Sequence, residues 1–197
     1  MKTPLRYQAT SFDCGTTSFV NALMFLFERE EIPPEVVKYV TCVTCDHHYA
    51  DHGGAGGTSF DAMAFLVAWI NNYAQRFGMP IRGEALRGEV VNASRGSALE
   101  RCLEEGGVAV VGCWLGVDHY VLITGMDDEH VRLFDPFYEW PITTFRIDVT
   151  GTTNVEDKPF SHNREVERWL LDAPNGTPYT LDAKSGKEAF LLWRTDK

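Results

Sequence analysis

The sequence predicts a single α+β domain in which helices come first and an antiparallel sheet follows. The chain has 197 residues, the usual size of one domain. Apolar residues recur at helical spacing in the first half of the chain, and short apolar runs typical of strands follow in the second half. This order indicates an α+β fold rather than alternating βα units. We therefore treat residues 1–197 as one domain.

Four helices are expected in the first half, each from its apolar spacing or from a residue that starts or ends it. In the first, Phe19, Leu23 and Leu26 share one face, which indicates a buried helix. Ser59 is a favourable N-cap for the third, and a Gly-Gly pair ends the fourth. The expected ranges are Gly15–Arg29, Glu35–Val43, Ser59–Phe77 and Asn92–Glu105.

The second half predicts the strands of the sheet. Val108–Trp114 is a continuous apolar run, as in a central strand. His119–Met126 and Val131–Phe134 are joined by an Asp-Asp-Glu turn, so we expect them to form a hairpin. The remaining predictions are a strand at Thr144–Val149, an irregular span at Val155–Asn163, a helix at Arg164–Leu171 and a final strand at Glu188–Trp193.

Charge and composition narrow the classes of function. The net charge is -10 and no Lys/Arg cluster occurs, which argues against nucleic-acid and anionic-membrane partners. The same acidity favours cationic or neutral substrates. No apolar run reaches the ~20 residues of a membrane span, and the first residues lack the apolar core of a secretory signal. We therefore expect a cytoplasmic protein. Five cysteines without an export signal argue against a disulfide framework and favour a reactive thiol.

A cysteine at the start of the first helix carries the strongest functional signal. Cys14 directly precedes the apolar spacing, where the partial positive charge of a helix N-terminus stabilises a thiolate. Gly15 leaves space beside the sulfur for a carbonyl group. Gln8 lies a short way upstream and can direct its amide at a developing oxyanion, together with the backbone N–H of Cys14. We predict Cys14 as a nucleophile and Gln8 as an oxyanion donor.

A cysteine nucleophile needs a base, and the base needs an acceptor that orients it. His119 opens one strand of the predicted hairpin and Asp135 closes the other, so both side chains are expected at the same edge of the sheet. Pro136 stops the strand and fixes where the carboxylate points. We predict His119 as the general base and Asp135 as its orienting partner.

These motifs resemble those of papain-like cysteine peptidases, and within them the bacteriocin-leader peptidases and their stand-alone bacterial relatives. The resemblance rests on Gln-x4-Asp-Cys-Gly, on Gly-x-Asp-His-Tyr-Val and on the Asp135-Pro136 strand end. It implies a papain-like fold, no cofactor, and hydrolysis of a peptide or amide substrate through an acyl-enzyme. It also implies the roles given above for Cys14, His119, Asp135 and Gln8. The sequence shows no membrane spans and no nucleotide-binding domain, so the double-glycine leader substrate is not implied.

Two other functions are compatible with the sequence. An amine or thiol acceptor in place of water would make the protein an acyltransferase with the same nucleophile. Alternatively, a non-enzymatic binding module would hold zinc with Cys42 and Cys45. Histidines in the polar, glycine-rich loop between Cys45 and Thr58 would complete such a site: His47, His48 or His52. We instead expect the loop Asp46–Gly57 to cover the active site, and Cys102 and Cys113 to be core residues.

Overall fold

The structure is a computed structural model that describes residues 1–47, 56–137, 150–183 and 186–196. Its helices are α1 Cys14–Leu26, α2 Pro34–Val43, α3 Phe60–Phe77 and α4 Ala98–Glu104. Its strands are β1 Ile81–Arg87, β2 Val108–Trp114, β3 Asp118–Met126, β4 His130–Phe134, β5 Thr152–Asn154, β6 Arg164–Glu167 and β7 Glu188–Arg194. The α+β class and the helices-first order agree with the prediction.

The strands of the described residues form one seven-stranded sheet in the order β1-β7-β2-β3-β4-β6-β5. Every neighbouring pair is antiparallel. The predicted hairpin is present as β3 and β4, with Leu122 opposite Phe134. Because β4 ends at Phe134 and β3 begins at Asp118, the next residue after β4 lies at the edge of the sheet where β3 starts.

Side chains alternate across the sheet and build one core on each face. On the first face, Val110 and Phe190 pack with Phe19 of α1 and Leu66 of α3. On the second face, a separate hydrophobic cluster contains residues of α4, of the 3₁₀ turn Arg168–Asp172 and of the segment around Tyr179. The N-terminus of α1 therefore meets the sheet from one face only. Among the described residues, no helix combines the length and the apolar character needed to cross a membrane.

Capping residues explain where the helices begin and end. The Oγ of Ser59 accepts a hydrogen bond from the Ala62 N–H at 3.1 Å, and Gly78 at φ 73° ends α3, so the predicted cap is correct. Helix α1 stops at Leu26, earlier than the predicted Arg29. There the Nζ of Lys2 donates to the carbonyl of Phe25 at 2.5 Å and takes up an acceptor that the helix leaves open.

Two of the predicted helices are wrong in extent or in type. The helix expected over Asn92–Glu105 begins only at Ala98, because the Asn92 side chain binds the backbone of Ser94 in a turn and Ser97 provides the cap. The helix expected at Arg164–Leu171 is instead strand β6 followed by a 3₁₀ turn, since β6 pairs with both β4 and β5. Long-range pairing overrides the local helical preference here.

The remaining strand predictions have different outcomes. Val108–Trp114 is β2 at the predicted bounds, and Glu188–Trp193 extends by one residue as β7. The predictions did not include β1, which pairs with β7 along its full length. The predicted strand at Thr144–Val149 lies outside the described residues.

Candidate active site

Cys14 is the first residue of α1 and is 7% exposed. The Oγ of Ser18, one helical turn later, donates to the carbonyl of Tyr120 at 3.1 Å. Because residues i and i+4 share a helix face, this bond places Cys14 beside the start of β3. The carboxylate of Asp13 accepts from the Thr10 N–H at 2.8 Å and holds the chain that leads into the helix. The sequence prediction of Cys14 at a helix N-terminus agrees with the structure.

Gly15 has a packing role that the sequence analysis did not anticipate. A Cβ at this position would lie 2.6 Å from Oγ1 of Thr58, closer than a side chain tolerates. Glycine therefore allows the first turn of α1 to pack against the segment that precedes α3.

His119 and Asp135 form a buried pair at the edge of the sheet. The Nε2 atom of His119 lies 2.9 Å from Oδ1 of Asp135, and the two side chains are 6% and 2% exposed. Cys14 and His119 line the same cleft. The ring of Phe137 packs edge-on to His119 at a centroid distance of 6.4 Å. The structure thus brings Cys14, His119 and Asp135 together.

Electrostatics hold this pair in its charged form. Burial lowers the pKa of His119, but the charge of Asp135 and hydrogen bonds with Asp135 and Cys14 raise it from 6.5 to about 10. Burial raises the pKa of Asp135, but the charge and hydrogen bond of His119 bring it below its usual 3.8. At neutral pH the pair is therefore an imidazolium and a carboxylate.

Asp135 is held by residues that the sequence analysis did not identify. The hydroxyl of Tyr179 donates to Oδ2 at 2.9 Å, and the backbone N–H of Phe137 donates to Oδ1 at 2.9 Å. The side chain of Asn163 binds the backbone of Asp135 twice, accepting from its N–H and donating to its carbonyl, each at 2.8 Å. Tyr179 has φ 64°, an unusual value for a residue with a side chain. Nothing in the local sequence around Asn163 or Tyr179 signals these contacts.

Gln8 lies in the same cleft as Cys14, and its backbone N–H donates to the carbonyl of Pro136 at 2.8 Å. Its Nε2 donates to the carbonyl of Thr10 at 2.7 Å. Its Oε1 is buried and has no hydrogen-bond partner within the described part of the chain. One of the two amide hydrogens therefore binds Thr10, and the other has no hydrogen-bond partner among the described residues.

The cleft that contains Cys14 and His119 has a volume of about 800 Å³. Apolar groups from the Leu115–Val117 loop and from Phe12, Phe60 and Phe137 line part of it. Neutral polar groups and four charged side chains line the remainder, the charged ones being Asp61, Arg87, Asp118 and Glu188. An apolar wall with a few polar groups is typical of a site for a small molecule or a short peptide.

The cysteines outside the site fall into two groups. Cys102 and Cys113 are buried as predicted, and burial raises the pKa of Cys102 to about 12 and that of Cys113 well above its ordinary value. Both therefore stay neutral thiols. Cys42 and Cys45 are exposed, and the sulfur of Cys45 lies 3.5 Å from Oγ1 of Thr16.

The zinc alternative depends partly on residues outside the described ranges. His48 and His52 lie there, and His47 lines the cleft. Residues 1–47, 56–137, 150–183 and 186–196 contain no cluster of three or more His, Cys, Asp or Glu side chains arranged to hold a metal ion. The loop Asp46–Gly57 was expected to cover the site, and only its two ends are described. A hydrogen bond joins these ends, from the His47 N–H to the Gly57 carbonyl at 3.2 Å.

Comparison with known proteins connects the fold to one group of peptidases. No protein-family model and no curated protein matches the sequence. The structure is similar to the crystal structure of a candidate C39-like peptidase from Bacillus anthracis, with a TM-score of 0.56 at 14% sequence identity. The similarity covers 98% of this chain and 96% of that chain. At this identity it shows a C39-like cysteine peptidase fold.

Proposed function

We propose that this protein is a cysteine peptidase or amidase that acts through an acyl-enzyme on Cys14. The observation that carries the proposal is the buried His119–Asp135 pair, with 2.9 Å between Nε2 and Oδ1, beside a cysteine at a helix N-terminus. Cys14 and His119 line a cleft large enough for a peptide segment. The fold shared with a candidate C39-like peptidase supports the same class of enzyme.

We assign a role to each group of the proposed reaction. The Cys14 thiolate attacks the carbonyl carbon, and the backbone N–H of Cys14 with the second amide hydrogen of Gln8 bind the oxyanion. The Nδ1 proton of His119 moves to the leaving nitrogen as the C–N bond breaks, which leaves a thioester. Neutral His119 then takes a proton from water, and the water oxygen attacks the thioester carbon. Release of the acid restores the thiolate and the imidazolium.

Alkylation of Cys14 by iodoacetamide tests the proposal without a known substrate. Cys42 and Cys45 serve as internal references, because they are exposed whereas Cys14 is 7% exposed. We expect Cys14 to react faster than both references at about pH 6, where an ordinary free thiol is almost fully protonated. The sites are resolved by mass spectrometry of the peptides.

The variant His119→Ala should abolish this advantage, because the imidazolium that stabilises the thiolate is lost. His130→Ala, in the partly exposed first residue of β4, is the matched control and should leave Cys14 labelling unchanged. If Cys14 reacts no faster than Cys42 and Cys45 in the unmodified chain, the proposed function is wrong.

A further inference from the structure

A second buried carboxyl group lies at the cleft, and the proposed reaction does not use it. Glu188 is the first residue of β7, is 2% exposed and lines the cleft with Cys14. The hydroxyl of Tyr120 donates to its Oε1. Its Oε2 is buried and has no hydrogen-bond partner among the described residues. A buried carboxylate oxygen without a partner costs free energy, and a ligand that donates a hydrogen bond to it would offset that cost.

A glycine in the neighbouring strand makes room for the Glu188 side chain. A Cβ on Gly112 would lie 2.8 Å from Cγ of Glu188, so glycine in the central strand gives the side chain its room. Burial is the main cause that raises the pKa of Glu188, and the hydrogen bond of Tyr120 opposes it. A cation next to Oε2 would offset the cost of burial and stabilise the carboxylate.

Charges near Glu188 favour a cationic group over an anionic one. Arg87 is its cross-strand partner, and the Arg87 guanidinium lies 4.6 Å from the centre of the Phe60 ring. Asp61 and Asp118 line the same cleft. Three carboxyl groups therefore line the cleft with two cations, the Arg87 guanidinium and the His119 imidazolium, and that imidazolium is already paired with Asp135. The chain as a whole carries a net charge of -10.

We propose that Glu188 is the specificity residue of a subsite that binds a protonated amino group of the substrate. The group is either the ε-ammonium of a lysine-like side chain or a free α-ammonium, since both present the same donors to a carboxylate. The subsite deepens the proposed function, because it lies in the cleft of Cys14 and selects which peptide or amide is bound.

Binding to the Cys14→Ala chain tests the subsite without requiring turnover. Three probes differ in whether and where they carry an ammonium group. Nα-acetyl-lysine N-methylamide carries it on the side chain, norleucine N-methylamide carries it on the α-nitrogen, and Nα-acetyl-norleucine N-methylamide is neutral. Affinities are measured by ligand-observed NMR. We expect one of the two cationic probes to bind about tenfold tighter than the neutral probe, as for a hydrogen bond to a charged partner. The tighter of the two identifies the source of the ammonium.

Glu188→Gln should reduce this preference to within about twofold, because the amide keeps the shape and loses the charge. Glu84→Gln makes the same change on the exposed surface of β1 and should keep the full preference. Equal affinity of the Cys14→Ala chain for all three probes would overturn the inference. A preference for a cationic probe that survives in a folded Glu188→Gln protein would overturn it as well. Slow alkylation of Cys14 in the unmodified chain would instead count against the proposed function, so the two failures are distinguishable.

Discussion

Asp135 and Glu188 are both buried carboxyl groups: Asp135 lies behind His119, which lines the cleft, and Glu188 lines the cleft itself. The two groups differ in how many of their oxygens have hydrogen-bond partners. They are 1% and 2% exposed, and each accepts a hydrogen bond from a tyrosine hydroxyl. Asp135 has partners for both oxygens, from His119, Tyr179 and a backbone N–H. Within the described residues, Glu188 has a partner for only one oxygen.

This difference sets the charge state of each acid. Burial raises the pKa of both groups, but at Asp135 the imidazolium and the hydrogen bonds outweigh it and the pKa is lowered. At Glu188 burial prevails and the pKa is raised. Asp135 is therefore already paired and can orient a base, whereas Glu188 still lacks the partner that would stabilise its charge. Equal burial has opposite consequences because the number of partners differs.

The strongest test of this comparison removes the charge from the fully paired acid. In Asp135→Asn the His119 imidazolium loses its counter-ion, so we expect Cys14 alkylation at about pH 6 to fall by roughly 10²-fold, because a free thiol with a pKa of ~8.5 is less than about 1% thiolate at that pH. Asp128→Asn, at a carboxyl group that pairs with Arg95 on the surface, is the control and should show no change. An unchanged Cys14 rate in Asp135→Asn would mean that the buried pair does not activate the thiol.

A smaller change removes one partner from Asp135 and leaves its charge in place. Tyr179→Phe leaves Oδ2 buried without a donor, which should lower the free energy of unfolding by about 1–3 kcal/mol. We also expect a drop of about tenfold in Cys14 alkylation at pH 6, since a less well-held carboxylate stabilises the imidazolium less.

Tyr73→Phe separates positioning from general stability. The Tyr73 hydroxyl donates to Glu35 at 2.7 Å, away from the cleft, so its loss should change stability and leave Cys14 alkylation unaltered. If both tyrosine variants affect alkylation equally, Tyr179 has no positioning role. Denaturant unfolding and alkylation on the same preparations provide the two readouts.

The sequence predicted the parts of this molecule that depend on local chemistry. Helix α3 follows from its Ser59 cap, and β2 from a continuous apolar run. The juxtaposition of His119 and Asp135 follows from one hairpin, because a strand start and the end of its antiparallel neighbour share an edge. These features need only residues that are close in sequence or joined by one turn.

The parts that were missed depend on contacts between distant segments. Strand β6 was predicted as helix because its identity comes from pairing with β4 and β5. Tyr179 reaches Asp135 across 44 residues, and Tyr120 reaches Glu188 across 68. No spacing rule connects such positions, so the groups that distinguish the two acids were visible only in three dimensions.

The smallest expected effect is the change in the free energy of unfolding when the charge of Glu188, the acid with one unpaired oxygen among the described residues, is removed. The pKa of Glu188 is raised in the folded state. Below about pH 4.5 the group is protonated in both the folded and the unfolded state and does not change the free energy of unfolding. As pH rises through the folded pKa, its ionisation destabilises the fold. Glu188→Gln should therefore be more stable than the unmodified chain by about 1 kcal/mol at pH 7, with the difference vanishing below pH 4.5.

Asp135→Asn should behave in the opposite way when both variants are unfolded by denaturant between pH 3 and pH 8. The lowered pKa of Asp135 stabilises the fold above its unfolded value of 3.8, and this contribution is lost as pH falls through the lower folded pKa. The asparagine variant should thus be the less stable protein at pH 7, and its deficit should shrink only at the acid end of the range. If both substitutions changed the free energy of unfolding in the same direction at pH 7, the distinction between a paired and a half-paired carboxyl group would be wrong. This outcome does not depend on how either substitution affects Cys14.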